Sequence, residues 1–276
     1  MERYFPKSRV VQRAILLLGV IFGTLAVLYL YQIKDASLRR SFPLLPLTLL
    51  VAFFLGRYAA RLTAIREYQA LLSILYEDLQ ANTFLAAMQP LVQSLKDPVV
   101  KITALAHMSN GYMAVGRFED AHHILEETEV PENALSLRGL LLNNLVSCLL
   151  LENRLSEAKR CHEQLRALIQ RPDCKAEFRE RVQISLAYQN ICINIYKARP
   201  ADLDALEHDF AHSNNPLHKL EVMTYLAIAY RHSGKLTQAA AAERYVLEKS
   251  GDHLCYRKLL LLSAPSSTLC ASTTTV

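Results

Sequence analysis

One short string carries the residue types of a metal-dependent hydrolase: His208-Asp209-Phe210-Ala211-His212. Histidines four residues apart share one face of a helix, where they can bind one metal ion while an acid between them acts as a base. Here Asp stands where such enzymes carry Glu, no third ligand is evident, and the string is predicted to lie on an outer helix. The dipeptides His122-His123 and His162-Glu163 are weaker candidates. The sequence therefore predicts no metal site, no cofactor and no catalytic residue.

Other enzyme signatures are also missing from the sequence. It contains no glycine-rich phosphate loop and no nucleophile elbow. The cysteines show no C-x-x-C pairing of the kind that zinc sites use, and they are Cys148, Cys161, Cys174, Cys192, Cys255 and Cys270. Cysteines that are scattered singly along the chain are typical of free thiols in a reducing compartment. We expect a protein that is not an enzyme.

The composition favours an all-α fold. The chain of 276 residues has no tryptophan, eight glycines and ten prolines, and most of it alternates apolar and charged residues at helical spacing. Its formal charge of +5 is modest, and arginines cluster beside two uncharged apolar segments. No basic stripe with interleaved aromatic residues is present, which argues against nucleic-acid binding.

The first apolar segment, residues 14–31, holds eleven Leu, Ile, Val or Phe residues and no charge. At 1.5 Å per residue it reaches about 27 Å, close to the hydrocarbon thickness of a bilayer. We expect it to cross a membrane. The rival interpretation is a cleaved signal peptide, because basic residues precede the segment; against it, the apolar run is long and no small-x-small cleavage site follows before Lys34.

The second apolar segment, residues 42–60, begins with Pro43 and Pro46. Proline is tolerated in the first turn of a helix, and Arg57 can extend its charge to the interface, so this segment can also cross. Seven Lys or Arg residues flank the pair on its outer sides, against three in the loop between the segments. This bias predicts a two-pass protein with both termini in the cytoplasm.

Small residues recur at helix-contact spacing in both apolar segments, as Gly19-x-x-x-Gly23 and Ala52-x-x-x-Gly56. In an antiparallel hairpin the two motifs lie at the same depth and can face each other. Two alternatives remain open. The spacing can arise by chance in apolar helices, or Gly19 and Gly23 can support homodimerisation.

A turn followed by a helix start recurs along the rest of the chain. The clearest copy is Gly116-Arg117-Phe118-Glu119-Asp120-Ala121, with one large and one small packing residue. The other copies are Asn82-x-Phe84-x-x-Ala87, Asn153-x-Leu155-x-x-Ala158 and Gly234-x-Leu236-x-x-Ala239. Apolar residues precede the turns at fixed distances, except that Asp78 breaks the pattern in the first copy. A longer unit is expected between Ala158 and Ala239, with helices over 176–198 and 202–212.

These residues resemble the tetratricopeptide repeat (TPR), a helix-turn-helix unit of 34 residues. The resemblance implies a TPR-like α-solenoid over residues 63–262, following a transmembrane hairpin over 1–62 and preceding a disordered tail over 263–276. A final helix near 253–262 is expected to cap the array.

The resemblance also implies protein or peptide binding in a groove lined by the first helices of the units. The predicted partner-binding residues are Tyr76, His107, Asn110, Asn143, Asn144, Ser147, Asn190, Asn194 and Tyr225. Asparagine both donates and accepts hydrogen bonds, so it can pair with the backbone of any extended peptide. The groove lacks the lysine and arginine clamp that some members use to hold a terminal carboxylate, apart from Arg231.

Two classes of function remain after the sequence has been considered. The first is a scaffold or adaptor that gathers partners at the cytoplasmic membrane face. The second is a structural or regulatory subunit of a fixed membrane complex, which a large exposed apolar stripe would favour.

Overall fold

A computed structural model describes residues 5–32 and 44–263 of the chain. Within these residues the protein is all-helical, with 83% helix, twelve α-helices and no strand. The expected all-α class is therefore confirmed. The loop between the two apolar segments and the tail after Ser263 lie outside the described residues. The chain divides into two compact units, Met1–Leu71 and Leu72–Val276.

The first unit contains helix α1, Pro6–Gln32, and most of helix α2, Leu44–Tyr76. One segment of the described residues is long and apolar enough to cross a membrane, Lys7–Leu25, and it lies near the N-terminus. The predicted second crossing over 42–60 falls partly outside the described residues and is not shown.

Helices α1 and α2 run antiparallel and meet through small residues. Gly19 lies directly against Ala52, because a Cβ atom on Gly19 would stand 2.3 Å from the Cβ of Ala52. Gly56 faces Gln12 and Ile15 less closely, since a Cβ there would stand 3.5 Å from their nearest atoms, an ordinary contact distance. On α2 the buried small residues follow every fourth position, at Ala52, Gly56, Ala60 and Ala64. Of the interpretations of these motifs, the structure shows the contact within the helix pair.

The second unit is a chain of helix pairs. Its helices are α3 (Ala81–Ser94), α4 (Pro98–Ala114), α5 (Phe118–Glu127), α6 (Leu135–Leu151), α7 (Leu155–Ile169), α8 (Ala176–Ile193), α9 (Pro200–His212), α10 (Pro216–His232), α11 (Leu236–Lys249) and α12 (Leu254–Leu262). Helices α4 and α10 each begin with a side-chain N-cap that is followed by proline. Asp97 accepts from Val99 N–H at 3.0 Å, and Asn215 accepts from His218 N–H at 3.1 Å.

The same turn closes the first helix of three pairs. Gly116, Asn153 and Gly234 have positive φ angles of 75°, 60° and 75°. After each of them the next N–H donates to the carbonyl five residues back, at 2.9, 2.8 and 2.8 Å respectively. This is the Schellman motif, in which a left-handed residue lets the chain satisfy the last carbonyls of a helix. The recurring turn inferred from the sequence is present at these positions.

In the first pair the predicted register is wrong by three residues. The left-handed residue is Leu79 (φ 55°), and α3 begins two residues later. Phe84 therefore takes the buried place that Ala121 takes in the next pair, whereas Ala87 is exposed. Four residues before the corrected turn stands Leu75, which is fully buried. Asp78 thus ceases to be an exception to the apolar pattern.

The longer helix pair expected between Ala158 and Ala239 is present, and the turn between its two helices differs from the others. Helix α8 ends at Ile193, a short 3₁₀ turn spans Ile195–Lys197, and Ala198 adopts a left-handed conformation with φ 43°. Helix α9 then begins at Pro200, two residues earlier than expected. The buried Leu203 occupies the place of the packing alanine.

The expected last helix, α12, packs against the last helix pair, α10 and α11, and also reaches the earlier helices α4 and α6. Cys255, Tyr256, Leu259 and Leu260 of α12 are buried in the same apolar core as residues of these helices. Lys258 donates to the Gly116 carbonyl at 2.9 Å. Covering the last pair is therefore only part of its packing, because its buried apolar face contacts several helices at once.

Candidate functional site

The nine predicted partner-binding residues belong to several local groups. They fall into separate places along the second unit, and two of them are buried. Tyr76, His107 and Asn110 form one network, Asn143 and Ser147 border a pocket, and Asn190 and Asn194 lie together at the C-terminal end of α8. Asn144 and Tyr225 are inside the protein.

The Tyr76 network satisfies its own polar groups. Asn110 donates to the Tyr76 hydroxyl at 2.8 Å, and that hydroxyl lies 3.2 Å from His107 Nδ1, to which it can donate in turn. Burial raises the pKa of Tyr76 and lowers the pKa of His107, so both stay neutral at pH 7. These three residues join neighbouring helices.

The expectation of groove-facing side chains is wrong for Asn144 and Tyr225. Asn144 is 6% exposed, and its amide donates to the Ala106 carbonyl of α4 at 2.8 Å. Tyr225 is 3% exposed and packs edge-on against Tyr188. A 3.6-residue period places both on the inner side of a helix, but a closely packed neighbouring helix covers that side.

Asn190 borders a hollow of about 570 Å³ between α7 and α8. Arg179, which lines this hollow, donates hydrogen bonds to the carbonyls of Ile169, Arg171 and Cys174. It therefore satisfies carbonyl groups at and after the C-terminal end of α7. Asn194 donates to Asn190 Oδ1 at 3.1 Å. Arg179 and the side-chain oxygen of Asn190 are therefore already engaged within the protein.

The remaining site, which we term the acidic pocket, has a volume of about 330 Å³. It is lined by Asn143, Ser147, Leu150, Ile184, Ser185, Tyr188, Gln189, Asp209, His218 and Glu221. These residues come from α6, α8, α9 and α10, so the first helices of three successive pairs form its walls. Its size suits one large side chain or a small ligand.

Two carboxylates and one imidazole set the charge of the acidic pocket. His218 Nε2 lies 2.8 Å from Asp209 Oδ2, and His218 Nδ1 lies 4.0 Å from Glu221 Oε2. Burial raises the pKa of Glu221 to about 7, and Asp209 adds to the rise, whereas His218 opposes it. Asp209 is thus paired closely with His218, whereas Glu221 lies farther from the imidazole and, with a pKa of about 7, is partly protonated at neutral pH.

Gln189 lines the acidic pocket and carries a buried acceptor without a hydrogen-bond partner among the described residues. Its Nε2 donates to Asn143 Oδ1 at 3.1 Å, which fixes the orientation of the amide. Its Oε1 is buried and has no hydrogen-bond partner among the described residues, although Gln189 is only 4% exposed. A buried acceptor without a partner is costly, so a donor from a ligand would be stabilised there.

Sequence reasoning found Asn143 and Ser147 but missed the residues that give this pocket its charge. Asp209 was placed in the His208–His212 string, yet its carboxylate contacts His218 on α10. The rings of His208 and His212 stack on each other with centroids 4.0 Å apart. On α10 the sequence places His218 and Glu221 three residues apart, on one helix face. This spacing alone does not indicate a site, because the third charged group, Asp209, comes from another helix.

No protein-family model, curated protein or solved structure matches this chain.

Proposed function

We propose that this protein is a membrane-anchored, TPR-type adaptor whose acidic pocket binds an arginine side chain of a protein partner. The proposal rests on helix pairs joined by recurrent left-handed turns and on a pocket walled by successive first helices. The partner belongs at the cytoplasmic membrane face.

The free Gln189 Oε1 is the observation that carries the proposal. It belongs to the lining of a pocket with two carboxylates, so the site offers several acceptors, and the hydroxyl of Tyr188 in the same lining, also without a partner among the described residues, can accept as well. A guanidinium group carries five N–H donors and a permanent charge, and its planar fork matches carboxylate geometry. Asn143 and Ser147, beside it, are placed to contact the backbone of the same partner.

The anchor is supported by the apolar surface of α1. Leu17, Phe22 and Leu25 are each more than half exposed, which suits lipid and not water. The Lys7–Leu25 segment has the length and composition of a membrane span. We extend this to a two-pass hairpin with both termini in the cytoplasm, because basic residues concentrate outside the two apolar segments.

The topology can be tested with one introduced cysteine. Five native cysteines are buried, so we expect little labelling by a thiol reagent once Cys270 is replaced by serine. Ala87 is exposed, so Ala87→Cys is expected to resist an impermeant thiol reagent in intact cells and to react after permeabilisation. Reaction in intact cells would place the second unit outside the cytoplasm.

Selection from a phage-displayed random peptide library tests the binding function. With full-length protein in lipid nanodiscs, we expect enriched peptides to share an arginine at one fixed position. Replacing Asp209 or Glu221 by its amide is expected to remove that preference, because the pocket loses its attraction for a cation. Asp204→Asn is the matched control, since Asp204 is exposed on the same helix as Asp209.

Two outcomes of this selection contradict the proposed function. Peptides without a shared basic residue would rule out the acidic pocket as the recognition site. An arginine preference that survives Glu221→Gln and Asp209→Asn would place recognition elsewhere on the surface.

A second candidate function is a structural subunit of a fixed membrane complex. The packing of α12 against α4, α6 and α10 favours it, because this helix covers inner surface that open repeat arrays leave to a partner. Failure of the selection together with stable co-purification of the same subunits would favour this alternative.

A further inference from the structure

A cluster outside the acidic pocket brings together three metal-ligating side chains. His122 lies on α5, while Cys148 and Glu152 are four residues apart at the end of α6 and share one face. One ligand atom from each lies within 4.8 Å of the others. His122 Nε2 is 2.5 Å from Glu152 Oε2, and Cys148 Sγ is 4.0 Å from the same oxygen.

The cluster is reachable from solvent without being open. Cys148 is fully buried, whereas the side chains of His122 and Glu152 are 16% and 20% exposed. Metal sites in proteins commonly have this character, with ligands held by packing and an entry path at the surface.

His122 Nε2, Glu152 and Arg154 form one polar group. The nitrogen lies 2.5 Å from Glu152 Oε2 and 3.2 Å from Arg154 Nη1, and Nη1 also donates to Glu152 Oε2 at 3.4 Å. If Nε2 carries a proton, His122 and Arg154 both donate to Glu152 and the group is an ion-pair network. If Nε2 is unprotonated, its lone pair and the carboxylate oxygen face the same point, where a metal ion would use both.

Two surrounding features favour a cation at this point. Glu126 Oε1 lies 3.8 Å from His122 Nδ1, on the far side of the ring, where metal-bound histidines typically meet a carboxylate. Glu152 is the C-terminal cap of α6, and the end of a helix carries partial negative charge.

Among the described residues around the cluster, Arg154 opposes a bound cation, because its Nη1 contacts both His122 Nε2 at 3.2 Å and Glu152 Oε2 at 3.4 Å. Its Nε and Nη2 hold Glu157 through two hydrogen bonds, at 2.8 and 2.6 Å, and its side chain is 41% exposed. A bound cation would displace only Nη1, which loses the contacts with His122 and Glu152 and keeps the pair with Glu157.

We propose that His122, Cys148 and Glu152 bind Zn²⁺, with a water molecule in the fourth position. Nitrogen, thiolate and carboxylate ligands suit tetrahedral zinc, whose bond lengths of about 2.0–2.3 Å place ligand atoms roughly 3.4–3.6 Å apart. To reach that spacing, His122 and Glu152 would separate by about 1 Å, and Cys148 Sγ would approach Glu152 by about 0.4 Å and His122 by up to about 1.2 Å. The competing interpretation is an ion pair that only joins α5 to α6.

Cobalt substitution tests the site directly. Full-length protein without a histidine tag, carrying Cys270→Ser and treated with a chelator, is titrated with Co²⁺ alone. We expect a sulfur-to-cobalt charge-transfer band and tetrahedral d–d absorption, both lost on addition of Zn²⁺. Cys148→Ser is expected to remove the charge-transfer band, while Cys174→Ser, a buried cysteine outside the cluster, keeps it.

Two further variants keep the test decisive if Cys148→Ser folds poorly. His122→Gln is expected to weaken Co²⁺ binding more than about 100-fold, a loss beyond that of outer-shell substitutions. Arg154→Gln is expected to strengthen it by about threefold to tenfold, because a neighbouring positive charge is removed. Absence of the band, its persistence in Cys148→Ser, unchanged affinity in His122→Gln, or weaker binding in Arg154→Gln would each overturn the proposal.

Discussion

Replacing Leu259 by alanine is expected to lower the free energy of unfolding by about 2–5 kcal/mol, the usual cost of a fully buried leucine. Leu259 is 1% exposed and belongs to the core that α12 shares with its neighbours. Leu261→Ala, two residues along the same helix at 68% exposure, is expected to change stability by less than about 0.5 kcal/mol.

Urea denaturation followed by circular dichroism measures both variants in the full-length protein. The expected difference in unfolding free energy between Leu259→Ala and Leu261→Ala arises only if α12 is packed into the core of the second unit. If Leu259→Ala and Leu261→Ala are equally mild, α12 is a peripheral helix, and the inner surface that it covers is open to a partner.

Replacing Glu221 by glutamine is expected to stabilise the protein at pH 8 while weakening partner binding. Burial raises the pKa of Glu221 from 4.5 to about 7 in the folded state. Below pH 4.5 the carboxyl is protonated in both states and destabilises neither. As the pH rises from 4.5 to 7, the unfolded chain loses its proton first, so stability is lost across this window.

The size of the stabilisation follows from that shift. Each pKa unit corresponds to about 1.4 kcal/mol, and with a side chain 28% exposed we expect a gain of about 1–3 kcal/mol at pH 8. At pH 4.5 and below the two proteins should unfold alike. Burial lowers the pKa of His253 to about 4, so the stability of both proteins falls as the pH drops toward that value. This loss is the same in the wild type and in Glu221→Gln, and it cancels from the difference between their free energies of unfolding.

Thermal melts across pH 4–8 measure this prediction, with Asp204→Asn as the control for removing a charge. A stability difference that does not grow with pH would show that Glu221 is solvated in the folded state. Residues that lower stability and support binding are typical of functional sites, so gain and loss in the same variant would support the acidic pocket.

The repeat frame could be predicted from sequence because glycine and asparagine mark left-handed turns. Gly116, Asn153 and Gly234 all have positive φ angles. The frame failed at Leu79, since leucine rarely adopts this conformation, at a cost of about 1–2 kcal/mol. Asn82, the nearest residue of the expected type, was chosen in its place. Local propensity cannot reveal a turn that packing of the surrounding helices imposes.

The acidic pocket could be predicted only in part. Asn143 and Ser147 follow from helical periodicity on one helix, whereas the pocket needs four helices placed side by side. Gln189 and Glu221 lie 32 residues apart in sequence, and nothing local joins them. The inner placement of α12 was also beyond reach, because its short apolar face is equally suited to capping an array or to packing inside one.

A double-mutant cycle between the protein and an arginine peptide tests the central claim most directly. Affinities are measured for wild type and Glu221→Gln, each with a selected peptide and with its arginine replaced by glutamine. If the guanidinium occupies the acidic pocket, the two substitutions are coupled by about 1–3 kcal/mol, and binding of the arginine peptide strengthens from pH 6 to pH 8. Additive effects, with a coupling below about 0.3 kcal/mol, would show that arginine and Glu221 do not meet and would contradict the proposed function.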